Sequence, residues 1–452
     1  MHQSWVKKSL IASACAVLLG QATPAFAINV LQAYQAALKN DPAYRSAQAE
    51  RDSGQQFQLI GRAALLPQVQ YSFSKSNNVG ESISPPSPFS GNKPILSHLD
   101  YGSTSRGVTV RQTLFNLDAY SRYKQGEAQT KFSEAQFDAR AKELMVRLLT
   151  AYVEACFMED QLGLFRAQRD AYSEQVKVNN RLFEKGEGTK TEVLETQAKL
   201  DISESMVLEA NDNYVNAKNI LNAIVGEEIT SLDSLRNDFN AASVVQGDFE
   251  SWQKTAETNN SEIKAAQLAV EIAHLEVRKA RAGHAPRVDL NANYNHGVSE
   301  TVTTKNQDNN VRSIGFQLVI PIYSGGYTTA VTKQAAAQKE KAKADLDNAR
   351  SKVMNELRKQ YNVVRTGVIK LDALQKAVTS AEALVEATSK SIKGGIRINV
   401  DLLNAQQQLV STKRDLAQAR YGFLAGLLKL KATAGVASYG DLETVQSFFV
   451  AK

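Results

Sequence analysis

A heptad pattern occurs twice in this chain, and it constrains the fold more than any other feature of the sequence. In its second occurrence, apolar residues fall at every seventh position: Leu402, Leu409, Leu416, Phe423 and Leu430. The first occurrence has the same spacing: Val193, Leu200, Val207, Tyr214 and Leu221. A heptad repeat sustained over this length predicts helices that pack as coiled coils. Because the two patterns superpose at one constant offset, the chain is predicted to be an internal tandem repeat of one long-helix unit.

The positions of the prolines indicate where the long helices lie. None of the 9 prolines falls between Pro94 and Pro286, and none follows Pro321. A proline inside a helix costs about 3 kcal/mol, so these two tracts can hold very long helices. Each half is therefore predicted to contain a long helix followed by a returning one: 118–185 with 190–225, and 326–393 with 399–434.

Before each pair of long helices, the period of the apolar residues changes from that of a helix to that of a strand. The alternation predicts strands near 67–77, 106–116, 287–297 and 311–323. A tilted strand needs roughly 9–11 residues to cross a bilayer, and these runs are about that long. Soluble hairpins would show the same alternation. Four strands cannot close a membrane barrel, which needs at least about 8. A barrel would have to be shared, with eight strands from two copies or twelve from three.

These patterns divide the chain into four parts: a leader 1–27, a first structural repeat 28–246, a second structural repeat 247–440 and a C-terminal tail 441–452. The leader has two lysines, a short apolar core and the tripeptide Ala25-Phe26-Ala27, as secretory signal peptides have. Cys15 lies in a poor lipobox, so lipidation is not favoured. Residues 226–260 and the tail carry no strong pattern.

The composition argues against several functional classes. A net charge of +6 is modest for 452 residues and forms no basic block, so no nucleic-acid partner is predicted. The 5 histidines lack metal-ligand spacing, and the nucleophile and phosphate-loop motifs are missing, so neither catalysis nor a cofactor is predicted. After the leader only Cys156 remains, which excludes an intrachain disulfide. No later window reaches the about 18 apolar residues of a membrane-spanning helix.

Several segments resemble the TolC-type outer-membrane efflux proteins. They are Gly395-Ile-Arg-Ile-Asn-Val-Asp-Leu-Leu-Asn-Ala-Gln, Ala417-Gln-Ala-Arg-Tyr-Gly-Phe-Leu, Ile320-Pro-Ile-Tyr-Ser-Gly-Gly and Leu66-Pro67. Their order and the duplicated plan extend the resemblance over essentially the whole mature chain. It implies a mainly α homotrimer with membrane β structure. In such a trimer, a 12-stranded β-barrel with four strands per chain is continued by a long α-helical coiled-coil barrel that crosses the periplasm.

The resemblance also implies a role and partners. Such proteins are passive outer-membrane channels of Gram-negative bacteria, surrounded by outer-membrane lipid, and they dock on an inner-membrane transporter through a periplasmic adaptor (membrane fusion) protein. An ABC transporter in type I protein secretion is the favoured partner, because of the plain signal peptide and the style of the motifs. A proton-driven pump in small-molecule or drug efflux is one alternative. A periplasmic coiled-coil scaffold or adaptor without a barrel is an alternative from another class.

In that family, helix pairs close the periplasmic end of the channel, with acidic residues at the constriction and an arginine-centred latch. By motif position, the resemblance assigns Asp401 and Asn404 to the constriction. It assigns Arg397 to the latch, with Glu192 as its acidic partner. The chain departs from the family's best-known member at two positions. Asn404 replaces a second acid, and Ile392 replaces a latch tyrosine.

Helix capping is a purely structural explanation for the same residues, and it stays open on the sequence alone. Asn399 has the side chain of a good helix cap. Asp401 beside it would interact favourably with the helix dipole, by a few tenths of a kcal/mol. Glu192 would do the same after Thr191.

Overall fold

A computed structural model describes residues 28–236, 239, 241, 247–299, 307–394 and 396–451. The predicted leader and Gly395 lie outside these residues, and so does Val244, around which the sequence shows a weak strand or short-helix character up to Phe249. The chain forms two compact units, each assembled from separate segments. The helical unit comprises Met1–Ala47, Arg140–Asn260 and Val353–Lys452, and the sheet unit comprises Gln48–Ala139 and Ser261–Lys352.

Both halves of the chain have two helices, two long strands and then a pair of long helices. The helices are α1 Val30–Asn40, α2 Pro42–Ala63, α3 Leu117–Glu184, α4 Lys190–Val225, α5 Phe249–Asn259, α6 Ser261–Arg281, α7 Tyr327–Lys393, α8 Asn399–Thr433 and α9 Tyr439–Gln446. The strands are β1 Gln68–Ser84, β2 Ile95–Phe115, β3 Ser234–Leu235, β4 Arg287–Ser299, β5 Gln307–Val319 and β6 Phe449–Val450. The longest helices are α3 with 68 residues and α7 with 67. In the described part of the chain, no helix has both the length and the apolar character needed to span a membrane.

The sheet unit is built on one antiparallel sheet with the strand order β1-β2-β4-β5. Residues paired across neighbouring strands share a face of the sheet. One such row runs from Tyr71 through Val108 and Tyr294 to Arg312. The row beside it on the opposite face is mainly polar and runs from Ser72 through Gly107 and Asn295 to Val311. The sheet therefore has one mainly apolar face and one mainly polar face. Among the described residues, β1 and β5 each have one edge without a partner strand.

The strands of the first half extend further than the sequence analysis predicted. β1 has 17 residues and β2 has 21, whereas β4 and β5 have 13 each. β1 and β2 stay paired as far as Ser84 with Ile95. Their distal parts are rich in serine, glycine and asparagine, which gives no apolar alternation. Backbone hydrogen bonds do not depend on that alternation, so the pairing continues where the sequence signal ends.

Segments that are distant in sequence meet in the core of the helical unit and are joined there by hydrogen bonds. The Tyr152 hydroxyl, fully buried in α3, donates to the Ile28 carbonyl at 3.0 Å and accepts from the Asp233 amide at 3.2 Å. Burial raises the pKa of this tyrosine, so the hydroxyl keeps its proton near neutral pH. Gln446 donates to the Asp233 carboxylate and accepts from the Val30 amide, both at 2.9 Å.

Two regions without a predicted pattern thus have defined structure. The tail beyond residue 440 continues α9 and forms β6, which pairs with β3 from the 226–260 region. α5 begins at Phe249, where the sequence shows only weak strand or short-helix character. These elements are short and are stabilised by contacts with distant segments, so no local periodicity reveals them.

Equivalent glycines end the returning helices of the two repeats. Gly226 after α4 has φ +80°, and Gly435 after α8 has φ +78°. Left-handed backbone of this kind favours glycine. Each glycine also lies against the end of a shorter helix of its own repeat. A Cβ at 226 would lie 2.4 Å from the Asn40 Cβ, and one at 435 would lie 2.4 Å from the Asn259 carbonyl carbon.

We expect Gly435→Ala to lower the free energy of unfolding of the helical unit by about 2 kcal/mol or more, because it combines left-handed strain with a clash against backbone. Gly186→Ala is the matched control. Gly186 has φ +78°, but no atom lies within 4 Å of an added Cβ, so only the strain of about 1 kcal/mol applies. Trp252 fluorescence during denaturant unfolding measures both variants, since Trp252 is the only tryptophan after the leader. Equal losses of unfolding free energy in the two variants would contradict the close contact between Gly435 and Asn259.

Candidate functional site

The predicted gate residues lie where the two long-helix pairs turn, in the helical unit. α3 ends at Glu184 and α4 begins at Lys190. α7 ends at Lys393 and α8 begins at Asn399. The first turn passes through Gly186 in the left-handed conformation. The tips of the two pairs are therefore short loops, and each returning helix starts within a few residues of its tip.

Glu192 serves as a helix-capping residue in this chain. Its carboxylate accepts from the Thr189 amide at 2.9 Å, and the Thr189 hydroxyl accepts from the Glu192 amide at 3.2 Å. This reciprocal pair is a capping box at the start of α4. The structural explanation therefore holds for Glu192, although the capping partner is Thr189 and not Thr191.

The other three predicted gate residues lie at the start of α8. Asp401 is half-buried in the first turn, and Asn404 is exposed one turn further on. Their spacing of three places both side chains on one side of the helix. Arg397 is exposed in the loop before α8 and forms no ion pair with the described residues. The structure thus brings Asp401 and Asn404 together but does not bring Glu192 to Arg397.

The prediction that Asn399 caps α8 is wrong. The N-cap position is Ile398, which has no side-chain cap hydrogen bond. The Asn399 side chain is instead buried between helices. Its amide oxygen accepts from Gln175 Nε2 at 2.9 Å, and its nitrogen donates to Thr196 Oγ1 at 3.3 Å. Tertiary hydrogen bonds to α3 and α4 have replaced the local cap, which a sequence pattern cannot show.

Asn399 belongs to a buried polar cluster that the sequence analysis missed. Asn179 Nδ2 donates to Thr196 Oγ1 at 2.7 Å, and Asn179 Oδ1 accepts from Gln175 Nε2 at 3.1 Å. Thr196 is fully buried, and Asn179 and Asn399 are nearly so. The cluster, formed by Gln175, Asn179, Thr196 and Asn399, joins α3, α4 and the first turn of α8. The first helix pair therefore holds the part of the chain that carries Asp401.

The second helix pair has no such cluster at the equivalent positions. Thr388 occupies the position of Asn179, and Ala405 occupies that of Thr196, at the same offset as the heptads. Thr388 is also buried, yet its hydroxyl has no hydrogen-bond partner among the described residues. Asparagine and threonine at heptad core positions would have marked the cluster in the sequence, because a polar group at such a position needs a specific partner.

Farther along the same helices, a second polar contact joins the two helix pairs. The Tyr421 hydroxyl of α8 donates to the Asp160 carboxylate of α3 at 2.7 Å. Burial raises the pKa of Tyr421, so the hydroxyl stays protonated and remains a donor. Asp160 and Arg420 also line an open groove of about 820 Å³ between the pairs, together with Lys413 and Glu159. Charged walls and open access indicate a surface for polar contacts and not a small-molecule cavity.

We expect Thr196→Val to destabilise the tip by about 1–3 kcal/mol, because it leaves the Asn179 and Asn399 amide donors buried without their acceptor. Hydrogen–deuterium exchange should become faster in the first turn of α8. Thr388→Val is the matched control: it makes the same change at a buried threonine whose hydroxyl has no described partner. It should be neutral or stabilising. Similar exchange rates in both variants would show that the cluster does not hold α8.

Comparison with known proteins gives a family match in each repeat. The family described as "Outer membrane efflux protein" matches residues 33–227 and 252–436, one match in each repeat. The alkaline protease secretion protein AprF of Pseudomonas aeruginosa is 38% identical over 94% of this chain and 88% of its own length. The proteases secretion protein PrtF of Dickeya chrysanthemi is 34% identical over 94% of this chain and 91% of its own length.

A solved structure has the same fold. The outer membrane protein VceC of Vibrio cholerae superposes with a TM-score of 0.74 at 18% identity, and the match covers 90% of this chain and 96% of that chain. At 18% identity, this similarity shows the fold alone. It covers both the sheet unit and the helical unit, as well as both repeats.

Proposed function

Since this chain belongs to the outer membrane efflux protein family, we propose that its partners and cargo are those of a type I protein secretion machine. The predicted family, the fold class and the outer-membrane location are confirmed. The role as an exit duct of the outer membrane follows from the same matches. The exported cargo and the inner-membrane transporter that supplies the energy are proposals.

The identity to AprF and PrtF is the observation that carries this proposal. Both relatives are named for the secretion of proteases, and both align over nearly all of this chain. Exported protein is therefore the favoured cargo, and an inner-membrane ABC transporter with a periplasmic adaptor is the favoured machinery. Because the family is one of efflux proteins, we propose no chemical reaction for this chain. The substrate would pass through the duct unchanged.

The free strand edges support assembly into a homotrimer. Among the residues that the structure describes, β1 and β5 each leave one row of backbone groups unpaired. Unpaired backbone groups are not tolerated in the hydrocarbon region of a membrane. If β1 of one copy pairs with β5 of the next, three copies supply twelve strands, which exceeds the minimum of about 8 for a membrane barrel. The polar face of the sheet would then line the channel, and the apolar face would contact lipid.

We also propose that the start of α8 forms the constriction at the periplasmic end. Asp401 and Asn404 lie on one side of the helix, where three copies would place them around one axis. Glu192 is already engaged by Thr189, so Arg397 is proposed to find its acidic partner on a neighbouring copy. The buried cluster around Thr196 would fix the helix start that carries these residues.

Deleting this chain in its host should remove secreted proteases from the culture medium while leaving the susceptibility to small toxic compounds unchanged. Expression of the intact chain should restore secretion. The measurements are extracellular protease activity and the minimal inhibitory concentrations of a compound panel. Normal secretion together with increased susceptibility would favour the drug-efflux alternative. A protein that separates with the soluble periplasmic fraction would instead support the scaffold alternative.

Arg397→Ser should raise the single-channel conductance of the protein in planar bilayers, because removing a guanidinium from the latch weakens contacts between copies at the constriction. Arg169→Ser is the matched control. Arg169 is also in the helical unit and pairs with its neighbour Asp170 at 2.6 Å. Its loss should leave the conductance as it was. If the two variants conduct equally, Arg397 has no role in the latch.

A further inference from the structure

The apolar face of the sheet carries a band of exposed side chains that crosses all four long strands. β1 contributes Val69, Tyr71 and Phe73, and β5 contributes Ile314, Phe316 and Leu318. Their exposed fractions range from 60% to 76%. The register places Val108 and Val110 of β2 and Ala292 and Tyr294 of β4 between these two edges. In the proposed trimer this band is the surface that contacts lipid.

On every one of the four strands, this band ends in a basic residue. The next side chains on the same face are Lys75 after Phe73, Arg106 before Val108, His296 after Tyr294 and Arg312 before Ile314. All four follow the apolar band in the direction of the hairpin loops, and β1 and β2 continue beyond Lys75 and Arg106 toward their loop. At the opposite end of the same face, next to the helices, the last residues are uncharged: Val69, Phe115, Val288 and Leu318.

Three of these four basic groups have no acidic partner among the described residues. Lys75, Arg106 and Arg312 are exposed, and no carboxylate of the described residues lies within salt-bridge distance of them. His296 is the exception, because its Nε2 lies 2.8 Å from the Asp308 carboxylate. Arg111, on the polar face, shows the contrast: it pairs at 2.7 Å with Asp289, which is almost fully buried.

The two arginines are nevertheless held in position. Arg106 Nε donates to His296 Nδ1 at 3.1 Å, which leaves the outer nitrogens of its guanidinium group open. The Arg312 guanidinium group lies over the ring of Tyr294, 5.6 Å from its centre. A guanidinium group fixed in this way can bind phosphate oxygens in a bidentate manner at a smaller loss of side-chain entropy.

We propose that Lys75, Arg106 and Arg312 bind the phosphate groups of lipids in the outer leaflet of the outer membrane, with His296 holding the Arg106 guanidinium group in place. The inference rests on the proposed function, which directs the loop end of the sheet away from the cell. The hydrocarbon chains of such a lipid would lie along the apolar band, and its anionic headgroup would meet the cations where the band ends. Because the helix end carries no such residues on this face, the preference applies to one leaflet only.

Native mass spectrometry of the detergent-solubilised, assembled full-length mature protein tests the proposal. The probes are diphosphorylated lipid A and the same lipid without its phosphates, each titrated separately. We expect the phosphorylated form to bind at least about tenfold more tightly, since each basic residue near an anionic lipid contributes about fivefold. Inorganic phosphate alone should not bind, because it lacks the apolar part. Equal binding of the two lipids, or displacement of the phosphorylated lipid by inorganic phosphate, would overturn the proposal.

Variants link the binding to these residues. Lys75→Gln, Arg106→Gln and Arg312→Gln together should remove most of the preference for phosphate, whereas the charge-conserving pair Arg106→Lys and Arg312→Lys should keep much of it. A control with the same loss of charge is Lys254→Gln, Lys341→Gln and Lys376→Gln, three exposed lysines on helices. If the triple variant fails to assemble, Lys75→Gln and Arg312→Gln are measured singly, and each should weaken binding about threefold to fivefold. An unchanged preference in these variants would refute the assignment.

Fractionation of the same cells separates this inference from the proposed function. A trimer that floats with the outer membrane and secretes normally, yet does not distinguish the two lipids, would refute only the lipid site. A protein that is absent from the outer membrane would refute the placement of the sheet, and the lipid site with it.

Discussion

The hydrogen-bonding capacity of the backbone at the edges of the sheet is the constraint on which the rest of the structure depends. A strand in hydrocarbon has no water to satisfy its amides and carbonyls, so each open edge costs several kcal/mol for every unpaired group. β1 and β5 have such edges in the single chain. In the proposed trimer, neighbouring copies supply the partners that these edges lack in one copy. A channel then forms between copies, with a wall to which each copy contributes a part.

The two repeats share a plan but differ in how their long helices are held together. In the first repeat, Asn179 and Thr196 form a buried hydrogen bond that also engages Asn399. In the second, Thr388 and Ala405 stand at the same positions. A buried polar pair favours one alignment of two helices, because any other alignment leaves polar groups unsatisfied. Thr388 and Ala405 do not restrict the alignment of the second helix pair in this way. At these positions, a buried polar contact among the described residues thus favours one register in the first helix pair but not in the second.

Features repeated along the sequence were predictable, whereas features that depend on distant contacts were not. The heptads predicted the long helices of both repeats, because each apolar position repeats the same local packing. The distal parts of β1 and β2 were missed because their polar residues give no alternation. Asn399 was misassigned because its local context fits a cap, whereas its partners come from two other helices. Of the candidate gate residues, sequence alone could place Asp401 and Asn404 on one side of a helix. It could not show that Glu192 already has a partner in its own chain.

The contacts of Gln446 have a consequence for how this protein is made. This side chain accepts from the amide of Val30, 416 positions earlier, and also binds Asp233. The start of α1 therefore finds its full set of partners only after nearly the whole polypeptide has been synthesised. Contacts of such long range form slowly, because a large loop must close first.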